Sequence, residues 1–327
     1  MDLDPKTLGR ARLAMQMAVR DWIYDPNVTF IDFGWPEHDG ILYKDELAIR
    51  IHLAEKIPKG PQLETAIEQG MTRGAIPNEI EGIRVDRPEA RFSLRQWGGG
   101  GWGRPVNPRS QRSLPMRGGI SISNAYQNTY GTLGGLVKDR ETGKEMILSN
   151  WHVLAGDWRA LSGWPIRQPG RLDRGSHADT VATLTRDAMS SSLDAAVAEL
   201  NGSRQLINNQ YELGPVRGVG RPRQGMNVVK SGRQTGVTYG RLTTGLLGTY
   251  PMRYFGVTRL IRDVMRVDLR RGLEVSAGGD SGSLWLEEDT NLAVGLHFAG
   301  SNIPEYALAM DLQPILDALN VDLGFGA

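Results

Sequence analysis

The chain of 327 residues contains no cysteine. That absence excludes a disulfide framework, a thiol nucleophile and every cysteine-ligated metal or iron–sulfur centre. An excess of charge of one sign is missing too. The 38 basic residues face 37 acidic ones, and a net charge of +1 gives no global pull toward nucleic acid or anionic membrane. No segment approaches the roughly 18 uninterrupted apolar residues that a membrane helix needs. The first residues, Met1 to Pro5, carry two aspartates and are not followed by an apolar stretch of the kind that marks a secretory signal. These absences set the expectation of a soluble cytoplasmic protein.

What is abundant is glycine. The 41 glycines make about one residue in eight, against an ordinary share of roughly 7%. So much glycine points to many tight turns, as in an all-β protein. With 40% hydrophobic residues the chain can bury a real core, and its length gives a prior of about two domains.

The first 96 residues read as a small α/β unit. Leu8, Ala11, Leu13, Ala14, Met17, Ala18 and Trp22 fall at helical spacing, which predicts an amphipathic helix over 7–23. Extended stretches follow at Val28–Phe33 and Asp45–Leu53, then a short helix over Pro61–Gly70 and a strand at Ile83–Val85. The run Trp97-Gly-Gly-Gly-Gly-Trp-Gly-Arg-Pro105 cannot hold a packed element, so 97–109 reads as an interdomain linker. A phosphate-cradling loop would need a helix after it, which Pro105 and Pro108 deny.

From Gly118 onward short β-type runs recur between Gly, Asn, Asp and Pro. They include Thr132–Val137, Met146–Ser149, Ala195–Leu200, Met226–Val229, Val237–Thr243, Met265–Leu269, Ser283–Leu286, Leu292–Leu296 and Tyr306–Met310. Strands so spaced indicate a sandwich or barrels, not βαβ units. A short helix at Leu312–Leu319 closes the chain.

The loudest local signal is Ala277-Gly-Gly-Asp-Ser-Gly-Ser283. Glycines around Ser281 let backbone N–H groups meet the charge of a tetrahedral intermediate. An esterase-type elbow is a poor match, because the final Gly is replaced by Ser283 and only His297 follows the serine. A serine needs a base. His152 lies in Ser149-Asn-Trp-His-Val, and Asp194 in Leu193-Asp-Ala-Ala-Val, giving the order His, Asp, Ser. In that order Ser281 attacks, His152 takes and returns its proton, and Asp194 orients the imidazole. Asp173, Asp179 and Asp187 are the competing carboxylates, and Asp194 is preferred at the mouth of its apolar run.

These three blocks resemble the signature blocks of chymotrypsin-like serine proteases, and more narrowly their cytosolic, disulfide-free branch, which includes the plant narrow-leaf protease and bacterial trypsin-like proteins. Gly131-Thr-Leu-Gly-Gly-Leu-Val and Val229-Lys-Ser-Gly-Arg-Gln-Thr-Gly-Val match the same group. The resemblance covers about Gly118 to Leu319. It implies a mostly β fold: a double antiparallel β-barrel over 110–327, preceded by the small α/β domain of 1–96. It also implies an oxyanion hole from the N–H groups of Gly279 and Ser281. Secreted members often need a new N-terminus to pair with the acid equivalent to Asp280, so here Asp280 must find another partner or the chain must be processed.

The P1 pocket implied by the resemblance involves Val275 and the later strand residues His297, Phe298 and Ala299. Val275 is apolar where an acid would select Arg or Lys. His297 resembles the residue with which viral 3C-like and glutamyl-specific proteases bind Gln or Glu; the alternative is a core histidine beside an apolar pocket.

The implied partner is a protein or peptide substrate, with no cofactor, no metal and no membrane. His38, His52 and His177 lack metal-like spacing. Val216 to Arg262 holds nine basic residues and no acidic one, yet without a stacking motif it reads as a β surface balanced elsewhere, not as a nucleic-acid platform. The N-terminal unit is compatible with an inhibitory pro-segment, a substrate-recruiting domain or a surface for a homo-oligomer. An esterase on the same site and a non-catalytic scaffold are the competing classes.

Overall fold

The computed structural model describes residues 5–38, 41–43, 46–91, 93–94, 107–243, 248–254, 256–302 and 305–324. The first helix, α1 (Pro5–Trp22), buries Ala11, Ala14, Met15 and Ala18 at the i, i+3, i+4, i+7 spacing of one helical face. Leu13, expected on that face, is instead 47% exposed. The buried stripe lies on β1 (Val28–Gly34) and β2 (Ala48–Leu53), which pair antiparallel with Ile31 opposite Ile51. A crossover through α2 (Pro61–Glu68) brings β3 (Ile83–Asp86) parallel to β2, since parallel neighbours need a long connection. Inside this sheet Asp32 is bound by the Arg50 guanidinium at 2.8 and 2.6 Å and by His52 at 3.2 Å, all three fully buried. A two-residue strand, β4 (Ser93–Leu94), follows.

The first barrel is built from β5 (Ser121–Asn124), β6 (Gly131–Thr132), β7 (Gly135–Asp139), β8 (Glu145–Ser149), β9 (Pro165–Arg167), β10 (Thr180–Asp187) and β11 (Ala196–Leu200). The ladder runs β7-β8-β11-β10-β9-β5-β6, every pair antiparallel. The expected continuous strand Thr132–Val137 is broken between β6 and β7. There the chain changes partner: Leu133 N donates to Ile120 O while Gly134 N donates to Leu148 O. The break is a corner at which the chain passes from one edge of the ladder to the other.

The second barrel contains β12 (Asn227–Gly232), β13 (Gly236–Leu242), β15 (Val257–Arg271), β16 (Leu284–Glu287), β17 (Leu292–Asn302) and β18 (Glu305–Asp311), with β14 (Gly248–Tyr254) outside the ring. Pairing proceeds β12-β13-β15-β18-β17-β16 and returns to β12, so the ring is closed by main-chain bonds throughout. β15 is far longer than the expected Met265–Leu269. Its first half is largely exposed and pairs with β14 as a hairpin that leaves the barrel. β14 escapes a reading of the sequence because Pro251 sits in its middle. The C-terminal α4 (Leu312–Ala318) is capped by Asp311, whose side chain accepts from Gln313 N.

The N-terminal sheet is joined to that hairpin by main-chain pairing. β1 adds to the outer edge of β14 with Ile31 opposite Thr249, giving one continuous sheet. Phe30 contacts Tyr250 across the junction, ring centroids 6.5 Å apart. The unit is therefore more than a bead on a tether. Of the expected linker, 97–106 lies outside the described residues. Asn107 to Arg109 belong to the barrel body: the buried Arg109 donates to Gly119 O at 3.2 Å and to Ser231 Oγ at 2.5 Å.

The Arg50→Met variant leaves the Asp32 carboxylate buried without its guanidinium. Stranding one partner of a buried pair costs roughly 3–5 kcal/mol. Chemical denaturation followed by tryptophan fluorescence is expected to show that loss; an unchanged midpoint would count against the buried pair.

Candidate active site

His152 lies on a single helical turn, α3 (Trp151–Leu154), which starts where β8 leaves the barrel. Asp194 lies just before β11, the ladder neighbour of β8. Adjacent strands thus deliver the two side chains to one place. His152 Nδ1 is hydrogen-bonded to Asp194 Oδ2, and His152 N donates to Asp194 Oδ1 at 3.0 Å. Asn150 Nδ2 adds a bond to Asp194 O at 2.7 Å. The carboxylate therefore fixes both the ring and the backbone that carries it, and both residues are buried. Of the competing carboxylates, Asp173 pairs with Arg233, Asp179 closes the turn at Ser176, and Asp187 accepts from Met189 N.

The loop that carries Ser281 connects β15 to β16. Gly279 has φ +110° and Gly282 φ +98°, values that L side chains rarely adopt. A Cβ on Gly279 would also stand 2.5 Å from the Tyr130 ring. Ser281 is held from both barrels. Its hydroxyl donates to Phe298 O at 3.1 Å, and its carbonyl accepts from Thr132 N at 2.7 Å. Thr132 Oγ1 in turn donates to Gly279 O at 2.8 Å, and Thr132 O accepts from Ser149 Oγ at 2.8 Å. The segment after His152 reaches the same point: a Cβ on Gly131 would lie 2.5 Å from Val153 and 3.1 Å from Ser281 O. Asp280 N, Gly282 N and Ser283 N donate to main-chain carbonyls. Among the described residues, the N–H groups of Gly279 and Ser281 donate to no main-chain carbonyl.

Asp280 supplies the order in this loop. Its Oδ2 accepts from Lys230 Nζ at 2.9 Å, Thr235 Oγ1 at 2.7 Å and Ala277 N at 3.0 Å. Its Oδ1 accepts from Gln234 N at 2.9 Å and Thr235 N at 3.1 Å. Burial pushes the carboxyl up, but Lys230 and the Thr235 hydroxyl outweigh it and hold the group below the usual carboxylate range. Of the two routes open to Asp280, the chain takes the internal partner. The stretch Val229 to Val237 is the β12–β13 hairpin, and it exists around this acid: a Cβ on Gly232 would lie 2.2 Å from Asp280 Oδ1.

The four expected P1 residues are all buried. Val275 is packed in the second barrel's apolar core, in the cluster of Met265, Val267 and Trp285. His297 lies against the Trp285 ring at 6.1 Å. Phe298 packs edge-on to Tyr250 at 5.6 Å, so it is its carbonyl, not its ring, that meets Ser281. Ala299 follows on the same strand.

Two residues have partners that the local sequence does not show. Lys230 follows Val228 and Val229 on a strand, and a buried lysine demands a buried acid; that rule, applied to Asp280, would have found it. Tyr254 stands beside Asp194, and its phenol is pushed well above its ordinary range first by burial and then by that carboxylate. Its ring meets Trp151 edge-on at 5.2 Å, and Trp151 meets Trp158 at 4.8 Å. Trp151, the residue before His152, is thus packed against Tyr254 of the β14 hairpin.

No family model and no curated protein matches the chain in sequence. Among solved structures it is similar to Thermobifida fusca protease A, at 17% identity over 65% of this chain and 100% of that one, TM-score 0.47. It is similar also to Cellulomonas bogoriensis chymotrypsin (17%, 65% and 100%, TM-score 0.46) and to Nocardiopsis protease (16%, 64% and 99%, TM-score 0.46). On its own strand pairing, one closed six-stranded antiparallel ring and one seven-stranded antiparallel half-barrel, the chain has the chymotrypsin-like double-barrel fold.

Replacing Lys230 by Met strands Asp280 beside Ser281. Losing an aligned oxyanion donor costs roughly 100-fold or more in rate. Lys230→Met is expected to slow fluorophosphonate labelling of Ser281 by that factor; labelling at the parent rate would show that the pair does not order the loop.

Proposed function

We propose that the chain is a serine endopeptidase that cleaves peptide bonds of an intracellular protein substrate. The observation that carries this reading is the double attachment of His152 to Asp194, ring and main chain together, next to a serine loop whose glycine backbone is held by Lys230 and Asp280. Ser281 Oγ would attack the scissile carbonyl and pass its proton to His152 Nε2. Asp194 would stabilise the imidazolium, and the Gly279 and Ser281 N–H groups would receive the oxyanion. His152 would then protonate the leaving amine, and water would release the acyl group by the reverse steps. The chemistry calls for no cofactor. The absence of cysteine and the internal partner of Asp280 support a site that works in a reducing compartment without processing.

His297 is fully buried against Trp285, which supports an apolar P1 site over direct donation to Gln or Glu. A P1 library profile is expected to favour apolar residues; dominance of Gln or Glu would restore His297 as the donor.

Labelling of Ser281 by a fluorophosphonate is expected in the parent chain and lost in Ser281→Ala. His152→Ala should cut peptide turnover by about 10⁴-fold or more, because the members of such a triad act as a unit. Undiminished labelling in His152→Ala would sink the triad.

A further inference from the structure

β16 covers one edge of β17 only as far as Leu296, which lies opposite Leu284. Past that point the nucleophile loop takes over: Gly282 N donates to His297 O and Ser281 Oγ to Phe298 O. The next residues of β17, Ala299 and Gly300, are paired on one side with Leu308 and Ala307 of β18. Their other side continues from the Phe298 carbonyl that accepts from Ser281 Oγ, on an edge along which an extended peptide reaching Ser281 would pair. An extended peptide laid on such an edge gains main-chain bonds whatever its sequence.

That side is occupied. β4, the chain's own Ser93–Leu94, pairs with it antiparallel, Leu94 opposite Ala299 and Ser93 opposite Gly300. The occupant is held in place from behind. Three residues upstream of Ser93, Ala90 N donates to Leu53 O, and Ala90 O accepts from Thr29 Oγ1 at 2.6 Å. Arg91 Nε donates to Ala54 O at 3.1 Å. Leu53 ends β2, and β1 beside it is joined to β14. The N-terminal sheet thus delivers β4 to the nucleophile's strand and keeps it there.

We infer that Ser93–Leu94 is an intramolecular occupant of the peptide-binding edge of β17, so that the N-terminal unit restrains its own site in cis. The inference rests on the proposed reading of Ser281 as the nucleophile of a peptide-cleaving site. A tethered strand competes at an effective concentration in the millimolar range, so a free peptide of ordinary affinity is excluded until β4 leaves. The Lys230–Asp280 pair makes the site ready, and β4 makes it wait.

Binding, rather than turnover, tests this directly. A fluorescent peptide with the chain's own sequence Arg91-Phe-Ser-Leu-Arg-Gln96 is titrated against full-length Ser281→Ala, with and without Ser93→Pro and Leu94→Pro. Two prolines remove the main-chain donors that β4 brings to the ladder. The proline chain is expected to bind at least about tenfold more tightly than its parent, and whichever of its Ala299 and Gly300 amides faces β4 to exchange faster with solvent. Equal binding by the two chains, weak or strong, overturns the inference. Should the prolines prevent folding, Ser93→Gly with Leu94→Gly takes their place, with a smaller gain expected and equality again decisive. Labelling of Ser281 in the unmutated chain reads the hydrolase proposal separately. Labelling without a binding difference overturns the cis occupant alone; a binding difference without labelling overturns only the hydrolase.

Discussion

The buried pair of Lys230 and Asp280 is the constraint on which the rest of the site depends. Asp280 is the residue between Gly279 and Ser281, so fixing its side chain fixes the backbone on either side. Two charges taken out of water are expensive, and their attraction offsets the cost only when the remaining lone pairs are satisfied. Here the Thr235 hydroxyl and three main-chain N–H groups complete the carboxylate's shell. A loop rich in glycine has many conformations to lose. The ion pair selects one of them, in a chain that has no disulfide to do so.

The second requirement is that two barrels meet at one serine. Thr132 makes that junction. Its N–H, hydroxyl and carbonyl hold Ser281 O, Gly279 O and Ser149 Oγ, and its hydroxyl also accepts from Arg233 N on the second barrel. The corner between β6 and β7 is what places these groups side by side. From the second barrel, Phe298 offers Ser281 a carbonyl and is backed by Tyr250, which touches Phe30 of the N-terminal sheet. The surroundings of Ser281 are thereby continuous with the unit that carries β4.

Much of this was legible in the sequence. The order His152, Asp194, Ser281 came from local motifs, and the structure brings the first two into contact. Short strands with glycine turns led to barrels because alternation and turn chemistry are local signals. What escaped depends on distant partners. Lys230 looks like one charge in a basic stretch until Asp280 is placed beside it. β14 is hidden by Pro251 and by a hairpin whose strength lies in pairing with β1. Val275, which the resemblance assigns to the P1 pocket, is packed among Met265, Val267 and Trp285, contacts that no local pattern announces. β4 has only two residues, too few for any periodicity, and its meaning lies wholly in what it pairs with.

The central claim is that Gly279, Asp280 and Ser281 form a ready oxyanion site held by Lys230. A crystal structure of the full chain after reaction with a fluorophosphonate tests it most directly. The account predicts phosphorus on Ser281 Oγ, a phosphoryl oxygen within hydrogen-bond reach of the Gly279 and Ser281 N–H groups, and the Lys230–Asp280 pair intact. An adduct whose oxygen faces solvent, or a loop rebuilt with that pair broken, would contradict it.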